Sequence, residues 1–331
     1  MARNKPNTMK LGIFTNIEAP ATDFYRTVGT YSYLEHDIKY LDIQNTKWYD
    51  IFSCDVIIAK SPNGQLYLDI LRDCKRMGKK IIIDHDDNLH RTERVNPSHK
   101  ALSSDASKKT VEECLSLANF VSYSTPALQD YYKEFHECPS LVIPNAWNPM
   151  LQPFMAVPKI EDKVRVLWRG SMHHLDDIAT IKDEINTMAD SNNFDVAMLG
   201  IQDFLMGHLF PKVHVKEWTN NLFSYFELLN NSQCHYGVFP LLKNDFNLAK
   251  SNIFAIEMLA AGGVVLAPIG IPEYNIPGVL KYDKFSDVLR IMKDKTFDRE
   301  NIVREGRQYL NDVLRIDKVN QLRQQILNNL N

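Results

Sequence analysis

Nowhere in the 331-residue chain is there a run of about 18 apolar residues, so no transmembrane helix is expected. The amino terminus, MARNKPNTMK, has no apolar core of the kind a secretion signal needs, and residues 1–8 read as a disordered leader. Cysteine is sparse: Cys54, Cys74, Cys114, Cys138 and Cys234 are odd in number, scattered and never spaced as C-x-x-C. That pattern argues against a disulfide framework and against zinc, and it fits a reducing cytoplasm. Neither sign of charge dominates, with 38 Lys and Arg against 41 Asp and Glu, and both halves of the chain are near neutral. No domain-wide basic surface therefore announces nucleic acid. Repeats and low-complexity segments are also missing. At 44% hydrophobic and 24% charged residues the chain is too apolar for disorder and long enough for two domains.

What is present is an alternation of short apolar segments with amphipathic ones. Segments 9–14, 38–43, 54–59, 80–84, 120–124 and 140–144 have strand length and are rich in β-branched residues. Between them lie stretches such as LYLDILRDCKRMG, 66–78, with helical apolar spacing and a glycine stop. Strands separated by helices imply a parallel sheet covered on both faces. The pattern pauses at 145–163, where three prolines and no periodicity mark a linker. A second series follows at 164–168, 194–199, 213–215, 234–239 and 264–268, with helices over 176–190, 222–231 and 250–261. The expected fold is α/β, two Rossmann-like domains facing across a cleft. Its parts are an N-terminal domain over 9–150, a linker over 151–163, a C-terminal domain over 164–315 and a terminal helix over 316–331.

The segment FPLLKNDFNLAKSNIFAIEMLAAGGVVLAP, 239–268, carries the most chemistry. A strand ends at Pro240, a polar loop follows, and a helix is expected to begin near Ala249. Lys250, Ser251 and Asn252 would then fill its first turn, where free N–H groups and the helix dipole favour an anion. Glu257 lies two turns beyond Lys250 on roughly the same side. A cation at a helix start with a carboxylate two turns on suits a nucleoside diphosphate, with Lys250 on phosphate and Glu257 on ribose hydroxyls.

This segment resembles the donor-site signature of GT-B glycosyltransferases of the glycosyl-transferases group 1 type, which are retaining enzymes. Pro240, Phe246, Asn247, Ala249, Lys250, Ser251, Glu257, Ala260 and Gly262 match one subgroup's pattern. Phe254 stands where a lysine is common, no proline precedes the valines after Gly263, and the glutamate of the widespread Glu-x7-Glu form would fall at Ala249. VLWRGSMHHLDDI, 166–178, is similar to the family's Gly-Ser-x-x-His-x-x-Asp stretch through Gly170, Ser171, His174 and Asp177. Arg169, directly after an apolar strand, would emerge at the carboxyl edge of the sheet, where ligands bind in open α/β sheets. VIPNAWNP, 142–149, resembles the strand closing the family's first domain, with Asn145 at the cleft, and TDFYRTVGTYSYLE resembles a Tyr-Arg stretch that places Arg26 there. Turn and surface roles serve Asn145 and Arg26 equally well.

The remaining motif is IIIDHDDNLH, 81–90. An Asp-x-Asp at a strand end is a divalent-metal pattern in GT-A glycosyltransferases. One sheet would leave 164–331 unexplained, whereas Lys250 and Arg169 can neutralise a donor diphosphate in the GT-B arrangement without metal. The cluster also resembles the D-x-D-D of the same subgroup through Asp84, Asp86 and Asp87, on the acceptor side of the cleft. Asp86, Asp87 or His85 would orient or deprotonate an acceptor hydroxyl, His85 would alternatively stabilise an oxocarbenium-like state through its backbone, and a turn cap accounts for at least one of the carboxylates. Acceptor contacts would come from Arg26, Asp84, Arg91 and Asn145. A basic and histidine-rich run over 72–109, including Arg91 and Arg94, would flank these carboxylates.

The resemblance thus implies a metal-independent, retaining transferase using a nucleotide-sugar donor, UDP in preference to GDP, with no cofactor and no stable membrane insertion. The acceptor would be a glycan or a modified, hydroxymethylated DNA. A nucleotide-sugar epimerase and an inactive nucleotide-sugar-binding module are the alternatives.

Overall fold

The computed structural model describes residues 8–15, 20–92, 94, 98–200, 203–216, 219, 221–294 and 296–330. The first seven residues of the expected leader lie outside them. Among the described residues twelve strands form two six-stranded sheets. The first contains β1 (Lys10–Thr15), β2 (Asp37–Asp42), β3 (Val56–Lys60), β4 (Lys80–His85), β5 (Phe120–Tyr123) and β6 (Ser140–Val142), ordered β2-β1-β3-β4-β5-β6. The second contains β7 (Val164–Arg169), β8 (Phe194–Leu199), β9 (His214–Lys216), β10 (Tyr236–Val238), β11 (Val264–Pro268) and β12 (Val279–Tyr282), ordered β12-β11-β10-β7-β8-β9. Every pairing is parallel.

The apolar runs follow from this geometry. Ile57, Ile58, Ile81, Ile82 and Ile83 are fully buried because helices cover both faces of the sheet. Ile81 and Ile83 face one core while Ile82 faces another, the period of two along a strand. Each such side chain contributes about 1.5–3 kcal/mol.

Both sheets reverse their winding once, between β1 and β3 and between β7 and β10. In open α/β sheets the crevice at such a reversal, outside the carboxyl ends of the strands, is where ligands bind. The loops leaving β7 and β10 are the two segments that carry Arg169 and Lys250, so topology brings both motifs to one crevice.

Two features depart from the sequence reading. β12 was not expected; it is an edge strand, VLKY, whose apolar run is broken by Lys281. The terminal helix Ile316–Asn329 packs Ile316, Val319, Ile326 and Leu327 into the core of the first unit beside Leu11, Ile13 and Ile82. Asn320 Nδ2 donates to the Thr30 carbonyl at 2.7 Å, and the chain is pinned there by Trp147 N donating to Leu314 O at 2.7 Å. The first unit is therefore built from both ends of the sequence. The irregular linker is held against the second unit. Gly262 caps the helix Ile253–Ala261 at φ 94°, and a Cβ there would sit 2.6 Å from the Ala156 carbonyl. Glycine is required by that conformation and by that approach.

Candidate functional site

A cavity of about 380 Å3 lies between the two units at the carboxyl ends of β4, β7 and β10. Its second-unit wall is one face of the helix Ile253–Ala261, presenting Ile253, Phe254 and Glu257 at helical spacing, with Arg169 at the end of β7 beside it. Glu257 is 3% exposed and accepts from every side. Its Oε2 receives Arg169 Nε at 2.8 Å and the Tyr225 hydroxyl at 2.6 Å, with Arg169 Nη2 also 2.6 Å away. Its Oε1 receives the hydroxyl of Tyr25, from the first unit, at 3.0 Å. Gln152 of the linker donates to Tyr25 at 2.6 Å. One carboxylate thus joins both units and the linker.

Burial alone would lower the Arg169 pKa, but Glu257 outweighs it and raises it, so the guanidinium stays charged. Burial first, then Glu257, lifts Tyr25 and Tyr225 well above the ordinary phenol range, which keeps both as donors. Arg169 also lies over the Phe254 ring at 5.5 Å, and Phe254 stacks on Phe239. The aromatic that stands in place of a lysine therefore supports the arginine.

The segment before this helix differs from expectation. A short helix, Asp245–Leu248, is capped by Asn244 Oδ1 accepting from Asn247 N at 2.8 Å, and the chain breaks before Ile253. Asn252 is the N-cap of the longer helix, so Lys250 and Ser251 precede it rather than fill its first turn. Both still line the cavity. Lys250 Nζ lies 4.3 Å from the Phe246 ring centroid and donates to Asp87 Oδ1 of the first unit at 2.7 Å. Ala249 is buried in the core of the first unit, and its carbonyl accepts from Thr125 Oγ1 at 3.1 Å. A glutamate side chain at this position would meet packed apolar groups.

On the β7 side Ser171, His173 and His174 line the cavity. Gly170 lies against the Trp168 ring, where a Cβ would approach to 2.5 Å. His174 Nδ1 pairs with Asp177 Oδ2 at 2.8 Å, and Asp177 Oδ1 accepts from Leu242 N and from Asn247 Nδ2. Burial lowers the pKa of both histidines, keeping them neutral near pH 7. Asn247, at 2% exposure, ties the loop after β10 to the loop after β7 and is not part of the cavity lining.

The acceptor-side motif divides by the alternation of β4. Asp84 takes a two-pronged pair from Arg26, Nε to Oδ1 at 2.7 Å and Nη2 to Oδ2 at 2.8 Å. Ser122 donates to Asp84 as well, and Arg26 Nη1 donates to the Ile143 carbonyl and to Asn145 Oδ1. Arg26, Asp84 and Asn145 are each at most 1% exposed. Asp84 and Asn145 do not line the cavity and serve as framework partners of Arg26, against the acceptor contacts expected of them, whereas Arg26 is held by them and still borders the cavity. His85 points to the opposite face and stacks on Tyr132 with centroids 4.5 Å apart. Burial lowers its pKa to about 4, and its side chain does not line the cavity, against the side-chain role toward an acceptor hydroxyl expected of it.

Asp86 and Asp87 do line the cavity. Burial would raise the Asp86 carboxyl, but Lys60, Ser61 and Arg26 outweigh it and hold it below its ordinary value. Ser61 donates to Asp86 Oδ1 at 2.6 Å from a strained backbone, φ 40°, at the end of β3. Among the described residues no group of three or more His, Cys, Asp and Glu could hold a metal ion, and no helix is long and apolar enough to cross a membrane.

The basic run also divides. Arg72 to Lys80 precede or begin β4 and so lie at its amino end, about 17 Å of strand away from Asp86. Only its later part reaches the cleft. Arg91 approaches Asp245 of the second unit at 3.6 Å and, with His99 and Lys108, lines a second cavity of about 420 Å3 at the cleft mouth. Arg94 is exposed. Tyr25, Tyr225, Gln152 and Lys60 were not anticipated. The signal for Tyr25 stood in the Tyr-Arg pair, of which the arginine builds the framework and the tyrosine reaches the site.

Two facing parallel sheets of six strands, a cleft at both winding reversals and a last helix that returns to the first unit constitute the GT-B fold of glycosyltransferases. No family model matches the chain, and no curated protein matches it in sequence. Among solved structures it is similar to Anabaena Alr3699/HepE in complex with UDP-glucose, with a TM-score of 0.63 and 12% identity over 97% of this chain and 100% of that one. An alpha-glucosyltransferase in complex with UDP and a 13-mer DNA superposes with a TM-score of 0.65 and 12% identity over 92% and 94%. The lipopolysaccharide outer core galactosyltransferase WaaB gives 0.56 and 12% over 94% and 98%. At this identity the likeness establishes the fold.

Proposed function

We propose that the protein is a glycosyltransferase that moves a sugar from a nucleotide donor, UDP in preference to GDP, to a hydroxyl acceptor with retention of configuration. The observation that carries the reading is the cavity closed by both units, in which Arg169, Lys250 and Glu257 converge at the carboxyl edge of the β7–β10 reversal. Full-length neighbours of the same fold bound to UDP or UDP-glucose support the choice of donor. In this reading Lys250 and Arg169 neutralise the departing diphosphate without metal, and fixed charges in a dry site do so with little reorganisation. Glu257, Ser171 and His174 hold the donor. Asp86 and Asp87, across the cavity, orient or deprotonate the acceptor. The protein acts in the cytoplasm.

The acceptor is a glycan or a modified DNA. The cavity at the cleft mouth, with Arg91, His99 and Lys108, favours an anionic acceptor, and a neighbour of the same fold has been solved with DNA. Incubation with UDP-glucose and a panel of glycans and hydroxymethylated DNA, following acceptor labelling and UDP release, tests the reading. Transfer to DNA that falls steeply between about 50 and 200 mM salt supports the anionic acceptor. Salt-insensitive transfer to a neutral glycan replaces it. Turnover of the donor sugar without UDP release would instead reveal an epimerase.

A further inference from the structure

The charges lining the cavity, and Lys60 behind Asp86, are already balanced within the protein. Arg26 is paired with Asp84, Arg169 with Glu257, Lys60 with Asp23 and Asp86, and Lys250 with Asp87. A diphosphate entering this cleft must therefore take a cation from a resident carboxylate. The four pairs differ in how readily one can be taken. Arg26 and Asp84 are each 1% exposed by side chain and held by three further groups. Glu257 is held in addition by two tyrosines. Lys60 has a second carboxylate at 2.9 Å and is 11% exposed. Lys250–Asp87 is a single contact through Oδ1, Asp87 is 34% exposed, and its two partners belong to different units. A carboxylate that can be rehydrated loses least when its cation leaves, so this pair exchanges at the smallest cost.

Resting on the nucleotide-sugar reading above, we propose that Asp87 stands in for the donor diphosphate on Lys250 and is released by it. Asp87 is then a specificity-determining counter-ion. While paired it neutralises the cation meant for phosphate. Once phosphate takes Lys250, the freed carboxylate faces the cavity on the acceptor side, beside Asp86. Donor binding thereby precedes the availability of Asp87 to an acceptor hydroxyl, which makes the order of binding donor first.

The test is equilibrium binding of UDP to the wild type, Asp87→Asn, Lys250→Met and the double variant, with thermal melting to confirm that each is folded. Removing a competing carboxylate of this exposure should tighten UDP by about fivefold in Asp87→Asn. The same substitution should give no gain in the Lys250→Met background. Asp86→Asn, whose carboxylate is held by Ser61 and Lys60, should not tighten UDP. UDP binding by the wild type that is unchanged or weakened in Asp87→Asn overturns the stand-in role and leaves the nucleotide site standing. Absence of UDP binding in both the wild type and Asp87→Asn overturns the two together.

Discussion

Each unit carries an arginine paired with a carboxylate near the carboxyl edge of its sheet, yet the two pairs do different things. Arg26–Asp84 is sealed by Ser122, the Ile143 carbonyl and Asn145, with no exposure to speak of. Arg169–Glu257 is nearly as buried, but its surroundings are hydroxyls, an aromatic face and a cavity. The first arrangement uses up its donors on backbone and framework partners, so it fixes where β4, β5 and the chain before the linker meet. The second draws its partners from both units and the linker, so its geometry depends on how the cleft is closed. Burial and charge alone do not mark a site; what the remaining bonds are made to does.

Substitution is the most direct way to break this distinction. Asp84→Ala strands a buried guanidinium and should cost about 3–5 kcal/mol of stability, read by urea unfolding. A loss under about 1 kcal/mol would remove the framework role. Acidification should act on the same framework. His85 is neutral in the folded state because burial lowers its pKa from 6.5 to about 4. Its contribution is fully present above pH 6.5 and is lost as the pH falls toward 4, amounting to about 3 kcal/mol. The melting temperature should fall over that window, and His85→Phe should flatten the fall.

The second pair should respond in binding rather than in folding. Glu257→Gln removes the carboxylate that holds Arg169 and that the proposed donor site assigns to the ribose, and should weaken UDP by tenfold or more, about 1.5–3 kcal/mol. Calorimetry checks it, and a loss of stability without a loss of binding would make the pair another framework element. The smallest effect on binding is expected at Tyr25→Phe, which deletes one hydrogen bond to Glu257, worth about 1 kcal/mol, and the one that Gln152 donates to the same hydroxyl. A few-fold loss of UDP affinity in the folded variant, its melting temperature lowered by the stranded Gln152 amide, would link closure of the cleft to the proposed donor site.

Most of the fold was legible because parallel strands covered on both faces must be short apolar runs, and eleven of the twelve appeared as such. The missed β12, VLKY, has Lys281 inside it and so offers no unbroken apolar run. The terminal helix showed its apolar stripe, but periodicity does not say which unit the stripe will face. At the site, Lys250 and Glu257 were legible from local spacing, although the helix was expected to begin near Ala249 and begins at Ile253, and the short helix Asp245–Leu248 capped by Asn244 lies in what read as a polar loop. Contacts between distant segments were the illegible part. Nothing local in TDFYRTVG tells that Tyr25 reaches Glu257 while Arg26 turns to Asp84, since that outcome belongs to the packing of three segments.

Whether Glu257 and Lys250 organise a nucleotide site that needs no metal is decided by calorimetric titration of UDP with and without EDTA. Binding should be unchanged by EDTA and weakened tenfold or more by Glu257→Gln. Binding that disappears with EDTA and is indifferent to Glu257 would contradict it and return Asp86 and Asp87 to the role of metal ligands.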